Sequence, residues 1–228
     1  MKKNYPEKIF TGIMVCILIL LVLNILSYLD FYYNNLDQRD YFFRKTNFNL
    51  ERNAPTIFSS SLHFTASILL AIVAYSKLSI KKIKSFWVFL SILILFIGLD
   101  ELLVIHEKVG RAFGENVETS GIFFFAWVVP YGIALILIGL ALLKSLLKLP
   151  KKTRLNFIMA GAIFVSGAMG IEMFTGWYVE YNQLQNENLL RVPDTFILST
   201  FEELFEMIGI GYFVYSILDF IREYRIKK

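Results

Sequence analysis

SFWVFLSILILFIGLDELLVIHE, residues 85–107, is the stretch that indicates the kind of fold. No charged residue occurs in 86–99, and the apolar run predicts a membrane-spanning helix over roughly 85–106. Three carboxylates and a histidine then follow within eight residues, at Asp100, Glu101, His106 and Glu107. Ionisable groups near a bilayer core are costly and by default mark function. The end of this helix is therefore the first candidate site.

The rest of the chain repeats this apolar pattern. Hydrophobic residues make up 56% of the sequence and charged residues 18%, against about 25% charged in a soluble domain. We predict an all-α, polytopic transmembrane helix bundle that forms a single domain, 1–228, with spans at roughly 8–29, 56–76, 85–106, 121–145, 155–179 and 196–221. The first span is longer than the apolar region of a signal peptide and lacks a cleavage site, so we expect it to be retained.

The distribution of basic residues predicts the orientation. Of the 23 Lys and Arg residues, 16 fall at the amino terminus, the 77–84 loop, the 144–154 region and the tail. By the positive-inside rule, both termini are cytoplasmic. The net charge of +4 does not indicate nucleic-acid binding, because the basic residues lie at membrane edges. The long 30–55 loop is open to two interpretations, a cap over the outer mouth of the bundle or a mobile surface loop.

Ionisable residues of four helices fall at one predicted depth. At ~1.5 Å per residue, all lie roughly 9–15 Å below the outer interface; they are His63, Asp100, Glu172, Glu202, Glu203 and Glu206. At about 100° per residue, Asp100 and Glu107 share one line on the third span, with His106 beside them and Glu101 pointing away. Glu202, Glu203 and Glu206 occupy one sector of the last span together with Gly209, which would let a neighbouring helix approach closely.

So many carboxylates cannot all be ionised and unpaired, so either some are protonated or a cation lies among them. Imidazole and carboxylate ligands suit zinc, iron or manganese, and the set also matches a centre of two metal ions in a helix bundle, although no Glu-x-x-His pair is present. The predicted metal ligands are His63, Asp100, His106, Glu172 and Glu206. Glu107, Glu202 or Glu203 would act as the general base on a metal-activated water.

Each candidate also has a structural interpretation. The position of His63 is also typical of a hydrogen-bonded packing residue, and that of His106 and Glu107 is typical of an exposed helix end. Glu202 and Glu203 suit an interfacial first turn, where the helix dipole favours carboxylates. Glu101 could pair with Lys108 instead of taking part in a site. Asp100, Glu172 and Glu206 are the hardest to explain in this way.

Several short motifs resemble a known superfamily. Ser59-x-x-x-His63, Asp100 on the next helix and Glu202-x-x-x-Glu206 on the last helix resemble the CREST superfamily of membrane metal-dependent hydrolases, which includes alkaline ceramidases. The resemblance implies a zinc-dependent hydrolase, but that family has seven core helices and a three-histidine site with His-x-x-x-His on its final helix. The two glutamates here exclude an unchanged site of that type. The motifs at 99–107 and 202–207 also resemble uncharacterised bacterial six-helix membrane proteins, a resemblance that implies no activity.

The leading hypothesis is a membrane-embedded metal-dependent hydrolase of a lipid or amphiphile, multi-pass in a bacterial cell membrane. A transporter or channel for protons or cations is the second hypothesis, and it requires a polar route that continues inward. A non-catalytic membrane scaffold with a buried polar network is the third.

Overall fold

The computed structural model describes residues 4–76, 83–184 and 186–226. Six helices or helix series in this part are long and apolar enough to cross a membrane, which confirms the all-α class and the number of candidate spans. The α-helices are α1 Tyr5–Tyr33, α2 Tyr41–Thr46, α3 Ala54–Tyr75, α4 Lys84–Leu103, α5 Ile105–Gly114, α6 Val128–Leu146, α7 Lys151–Val165, α8 Glu172–Tyr181 and α9 Pro193–Ile226. Basic residues at 2–3, 77–82 and 227–228, which enter the orientation count, lie outside the described residues.

The helix predicted over 85–106 is interrupted at Val104. This residue has φ 56° and ψ 49°, the left-handed conformation, and it separates α4 from α5. A β-branched residue in this conformation is strained. Beyond this interruption α5 continues to Gly114, so that the first part of 107–120 is helical.

Helix α9 lies at the centre of the bundle. Met207, Val214 and Ile217 on this helix are almost completely buried, and they belong to a core cluster that includes residues of α1, α3, α4 and α7. Gly209 allows α7 to approach closely, since a Cβ at this position would lie 2.6 Å from the backbone nitrogen of Phe164. The close approach that the sequence suggested for Gly209 is thus present.

A π-helix, Ser166–Ile171, joins α7 to α8 without a turn. A π-helical segment shifts the register of the helix on its C-terminal side, and such segments occur frequently at functional sites. Gly167 lies within it, where a Cβ would be 2.6 Å from the carbonyl oxygen of Glu202. This segment therefore sets Glu172, the first residue of α8, against the acidic part of α9.

The 30–55 loop is folded against the bundle. It contains α2, and the buried Asn24 of α1 accepts a hydrogen bond from the Phe48 backbone at 2.9 Å. Asn24 also donates to Thr200 of α9 at 3.0 Å. Asn53 caps α3 by accepting from the Thr56 backbone. These bonds fix both ends of the segment that contains Glu51.

Candidate functional site

A cavity of about 420 Å³ lies between α4, α5, α6, α8 and α9. Seven carboxylates and one imidazole line it: Glu51, Asp100, Glu101, His106, Glu172, Glu202, Glu203 and Glu206. Among the described residues that line the cavity, none is Lys or Arg. Its remaining wall is mostly apolar and aromatic. We call this cavity the acidic pocket.

Asp100 organises one side of the acidic pocket. Its Oδ1 accepts hydrogen bonds from the His106 backbone nitrogen at 2.6 Å and from the Tyr131 hydroxyl at 3.1 Å. Its Oδ2 lies 3.4 Å from Nδ1 of His106. The strained turn at Val104 makes this geometry possible, because it brings the first turn of α5 back onto the carboxylate. A carboxylate in this position fixes the ring orientation of the histidine and favours a proton on Nδ1.

Glu172 organises the opposite side. Nε1 of Trp127 donates a hydrogen bond to its carboxylate at 3.2 Å, and the Trp127 ring lies 5.2 Å from the His106 ring. The carboxyl groups of Glu172 and Glu202 are within hydrogen-bonding distance of each other. Two carboxyl groups can share such a contact only if one holds a proton or if a cation lies between them.

Glu101, Glu203 and Glu206 form a further acidic wall of the pocket, in which Glu101 and Glu206 are close enough to Glu203 for their charges to act on it. Next to Glu101 lies Ser59 of α3, whose hydroxyl is buried and has no hydrogen-bond partner of normal geometry in the described part of the chain. The hydroxyl of Ser60 is also buried and has no hydrogen-bond partner among the described residues. A buried polar atom without a partner is costly, but neither serine lines the acidic pocket itself.

Two pocket groups lie outside the candidate spans, and both have perturbed acidity. Burial lowers the pKa of His106, but the hydrogen bond and negative charge of Asp100 outweigh it, so that the pKa is raised above its usual value. The surrounding protein partly removes the Glu51 carboxyl from water, and this desolvation raises the pKa of Glu51, with a partial offset from His106. Both groups therefore favour their protonated forms more than they would in water.

The structure brings together six of the eight predicted site residues, namely Asp100, His106, Glu172, Glu202, Glu203 and Glu206. His63 does not line the acidic pocket. It is almost completely buried, its Nδ1 lies 3.0 Å from the Ser59 carbonyl oxygen, and its ring contacts Phe164. Glu107 is exposed and lies outside the lining. The break at Val104 removes the straight helix on which its predicted alignment with Asp100 depended.

Sequence reasoning missed four pocket residues: Glu51, Glu101, Trp127 and Tyr131. Pairing of Glu101 with Lys108 does not occur, because the Lys108 amine donates to the Leu103 carbonyl oxygen at 3.0 Å. Trp127 and Tyr131 lie one turn apart at the start of α6, and this spacing beside an apolar helix was the signal available for them. Glu51 gave no signal of its own within a loop of mixed charge.

The donor set suits a metal ion chemically, because it offers carboxylate oxygens and an imidazole nitrogen. In residues 4–76, 83–184 and 186–226, however, no three His, Cys, Asp or Glu side chains are close enough together to hold one ion. Coordination would therefore require the carboxylates to change rotamer. The pocket is a site that can accept a cation, and its side chains are not already arranged around one.

Fold and site together define a class: an all-helical protein with six helices apolar enough to cross a membrane and an acidic pocket within their bundle. The chain belongs to the family described as Domain of unknown function (DUF8692), whose model matches residues 10–220. This match covers every residue of the acidic pocket. No curated protein and no solved structure matches the chain.

Proposed function

We propose that the chain is an integral membrane protein with both termini in the cytoplasm, and that its acidic pocket binds a divalent transition metal and hydrolyses a lipid or amphiphile. The observation that supports this most is the lining itself. Ionisable side chains from five separate segments face one cavity, and the described lining supplies no Lys or Arg to balance them. A metal ion of the zinc, iron or manganese type is the simplest counter-charge.

The described residues suggest which groups would bind the metal. Glu172, Glu202 and Glu206 lie on two adjacent helices, and Glu172 and Glu202 already face each other. His106 can supply Nε2, since Nδ1 is turned to Asp100. Asp100 is already engaged by His106 and Tyr131, so it positions the histidine. In this assignment His63 and Glu107 are not ligands.

A bound metal would supply Lewis acidity, polarising an ester or amide carbonyl of the substrate. Side chains of the protein would carry out the proton transfer. Glu203 lies in the acidic wall without a neutralising neighbour among the described residues, which suits a general base. The Tyr131 hydroxyl donates its one proton to Asp100 and so helps to hold that carboxylate against His106.

Metal analysis of purified protein tests the proposal. We expect about one or two equivalents of a transition metal in the wild type by elemental mass spectrometry, and less than a tenth of that in the double variant Glu172→Gln, Glu206→Gln. Glu107→Gln is the matched control, because it removes one exposed carboxylate of the same region. Wild type without bound metal, or equal loss in the control, would contradict the proposal.

Proton or cation transport through the same carboxylates is the alternative. It requires a polar route toward the other side of the membrane. A second cavity adjoins the acidic pocket, but among the described residues that line it only His63 is polar. Cation flux into liposomes that is abolished by Glu172→Gln would favour transport over hydrolysis.

A further inference from the structure

The second cavity has a volume of about 280 Å³ and lies between α4, α6, α7 and α9. Four residues line both cavities, which therefore adjoin, and we refer to the two together as the cleft: Ile97, Leu135, Phe164 and Val165. We call the second cavity the apolar chamber. Along α6 its lining runs from Leu135 to Leu146, which is about 16 Å of helix at 1.5 Å per residue. This length is close to half of a hydrocarbon core of about 30 Å.

Helix α6 forms one wall of the cleft and is loosely held. Val128 is its one buried residue in the described structure. Leu135 is 41% exposed although it lines both cavities, so that space separates α6 from the bundle there. Gly139 and Gly161 face the chamber from opposite walls, and a Cβ at either would have no neighbour within 4 Å. The chamber therefore has room for an extended apolar chain.

The charge of the acidic pocket restricts the headgroup. Seven carboxylates line it, so even a bound divalent cation would leave an excess of acidic groups. A phosphate or sulfate headgroup would meet no lining Lys or Arg among the described residues. An ammonium group would be attracted by the carboxylates, and the aromatic rings of Trp127 and Tyr131 in the lining offer partners for cation–π contacts.

We propose that the cleft binds an amphiphile with one long alkyl chain and an ammonium headgroup, with the headgroup in the acidic pocket and the chain in the apolar chamber. This inference rests on the proposed function in one respect: it names the substrate class for the same site. It depends on the two cavities adjoining each other and on the unbalanced acidic lining, neither of which requires a metal.

Binding of matched probes tests this inference. Wild-type protein in phosphatidylcholine nanodiscs would be titrated with radiolabelled hexadecyltrimethylammonium, hexadecyl sulfate and butyltrimethylammonium, with empty nanodiscs as background. We expect the long-chain cation to bind at least ten-fold more tightly than either of the other two. Equal binding of cation and sulfate, or of the long and short cations, would overturn the inference.

Variants at two glycines of the apolar chamber test where the alkyl chain of the amphiphile binds. Gly139→Leu and Gly161→Leu place a side chain in the apolar chamber and should each weaken binding of the long-chain cation about ten-fold. Gly12→Leu on α1 is the control, since a Cβ there also has no neighbour within 4 Å but lies away from the chamber. Melting temperatures confirm that all three are folded. Unchanged binding in both chamber variants, or equal weakening in the control, would contradict the inference.

Repeating the titration in a strong chelator separates the two proposals. Selective binding that persists in the chelator, together with no bound metal in the protein as purified, refutes the metal-dependent function alone. Loss of selectivity in a protein with confirmed metal refutes the substrate inference alone.

Discussion

Replacement of Asp100 by alanine is expected to destabilise the protein through the junction between α4 and α5. The change removes three interactions: the 2.6 Å bond from the His106 backbone, the 3.1 Å bond from the Tyr131 hydroxyl and the 3.4 Å approach to His106 Nδ1. Hydrogen bonds to a charged group contribute about 1.5–3 kcal/mol each, but these donors can partly rehydrate from the pocket. We therefore expect a total loss of about 2–4 kcal/mol.

The strained turn adds to this expectation. Val104 is held in the left-handed conformation at a cost of about 1–2 kcal/mol, and the Asp100 cap is one of the contacts that maintain it. Without the cap the turn can relax, and α5 with His106 would move away from the pocket. Asp100→Asn keeps an acceptor oxygen for the backbone bond and should lose only about 1–2 kcal/mol.

Thermal unfolding in mild detergent measures the effect. For a chain of this length each kcal/mol corresponds to roughly 2–4 °C, so Asp100→Ala should melt about 4–16 °C below wild type. Glu107→Gln, an exposed change in α5, should melt within about 2 °C of wild type. If Asp100→Ala and wild type melt together, the junction does not depend on this carboxylate and the reasoning is refuted.

Three further predictions concern other parts of the molecule. The chain has two histidines, so NMR titration of chelator-treated protein can follow His106 directly, and its pKa should exceed the usual 6.5 and fall in Asp100→Asn. The stability that protonated His106 contributes should be complete below pH 6.5 and lost as pH rises through the raised pKa. An equal pKa of His106 in wild type and Asp100→Asn would contradict this assignment. Asp219→Ala should cost about 1–2 kcal/mol in chemical unfolding, because it removes a buried carboxylate that binds Arg222 and, at 2.7 Å, the half-exposed and therefore partly screened Lys152. A change below about 0.5 kcal/mol would exclude this role. Gly209→Ala should lower the free energy of unfolding by about 1–3 kcal/mol, because the added Cβ forces α7 and α9 apart. Gly12→Ala, where a Cβ meets open space, should lower it by nothing. Equal melting temperatures of the two variants would argue against close packing at Gly209.

The parts of the fold that follow from hydrophobic length were predictable from sequence. Six helices are long and apolar enough to span a membrane because each contains its own apolar run. The shared level of Asp100, Glu172 and Glu206 along the bundle was also predictable, since it depends on distance along each helix; that all three line one cavity is a finding of the structure. The close approach at Gly209 followed from its place on the same face as the glutamates.

Features that depend on tertiary contacts were not predictable in the same way. A left-handed valine is disfavoured by local sterics, so nothing in the sequence signals the break at Val104 that separates Glu107 from the site. The position of Glu51 depends on the bond between Asn24 and the Phe48 backbone, which joins distant residues. His63 was predicted at the same depth as the carboxylates, but its ring contacts Phe164 and lines the apolar chamber, because depth does not determine the direction of a side chain.

Anomalous X-ray diffraction from crystals of the purified, metal-loaded protein tests the central claim most directly. Our account predicts a peak at a transition-metal edge inside the acidic pocket, within coordination distance of His106 and of carboxylates from both α8 and α9. A pocket without any anomalous peak in such crystals, or a peak bound only by residues outside the pocket, would contradict it.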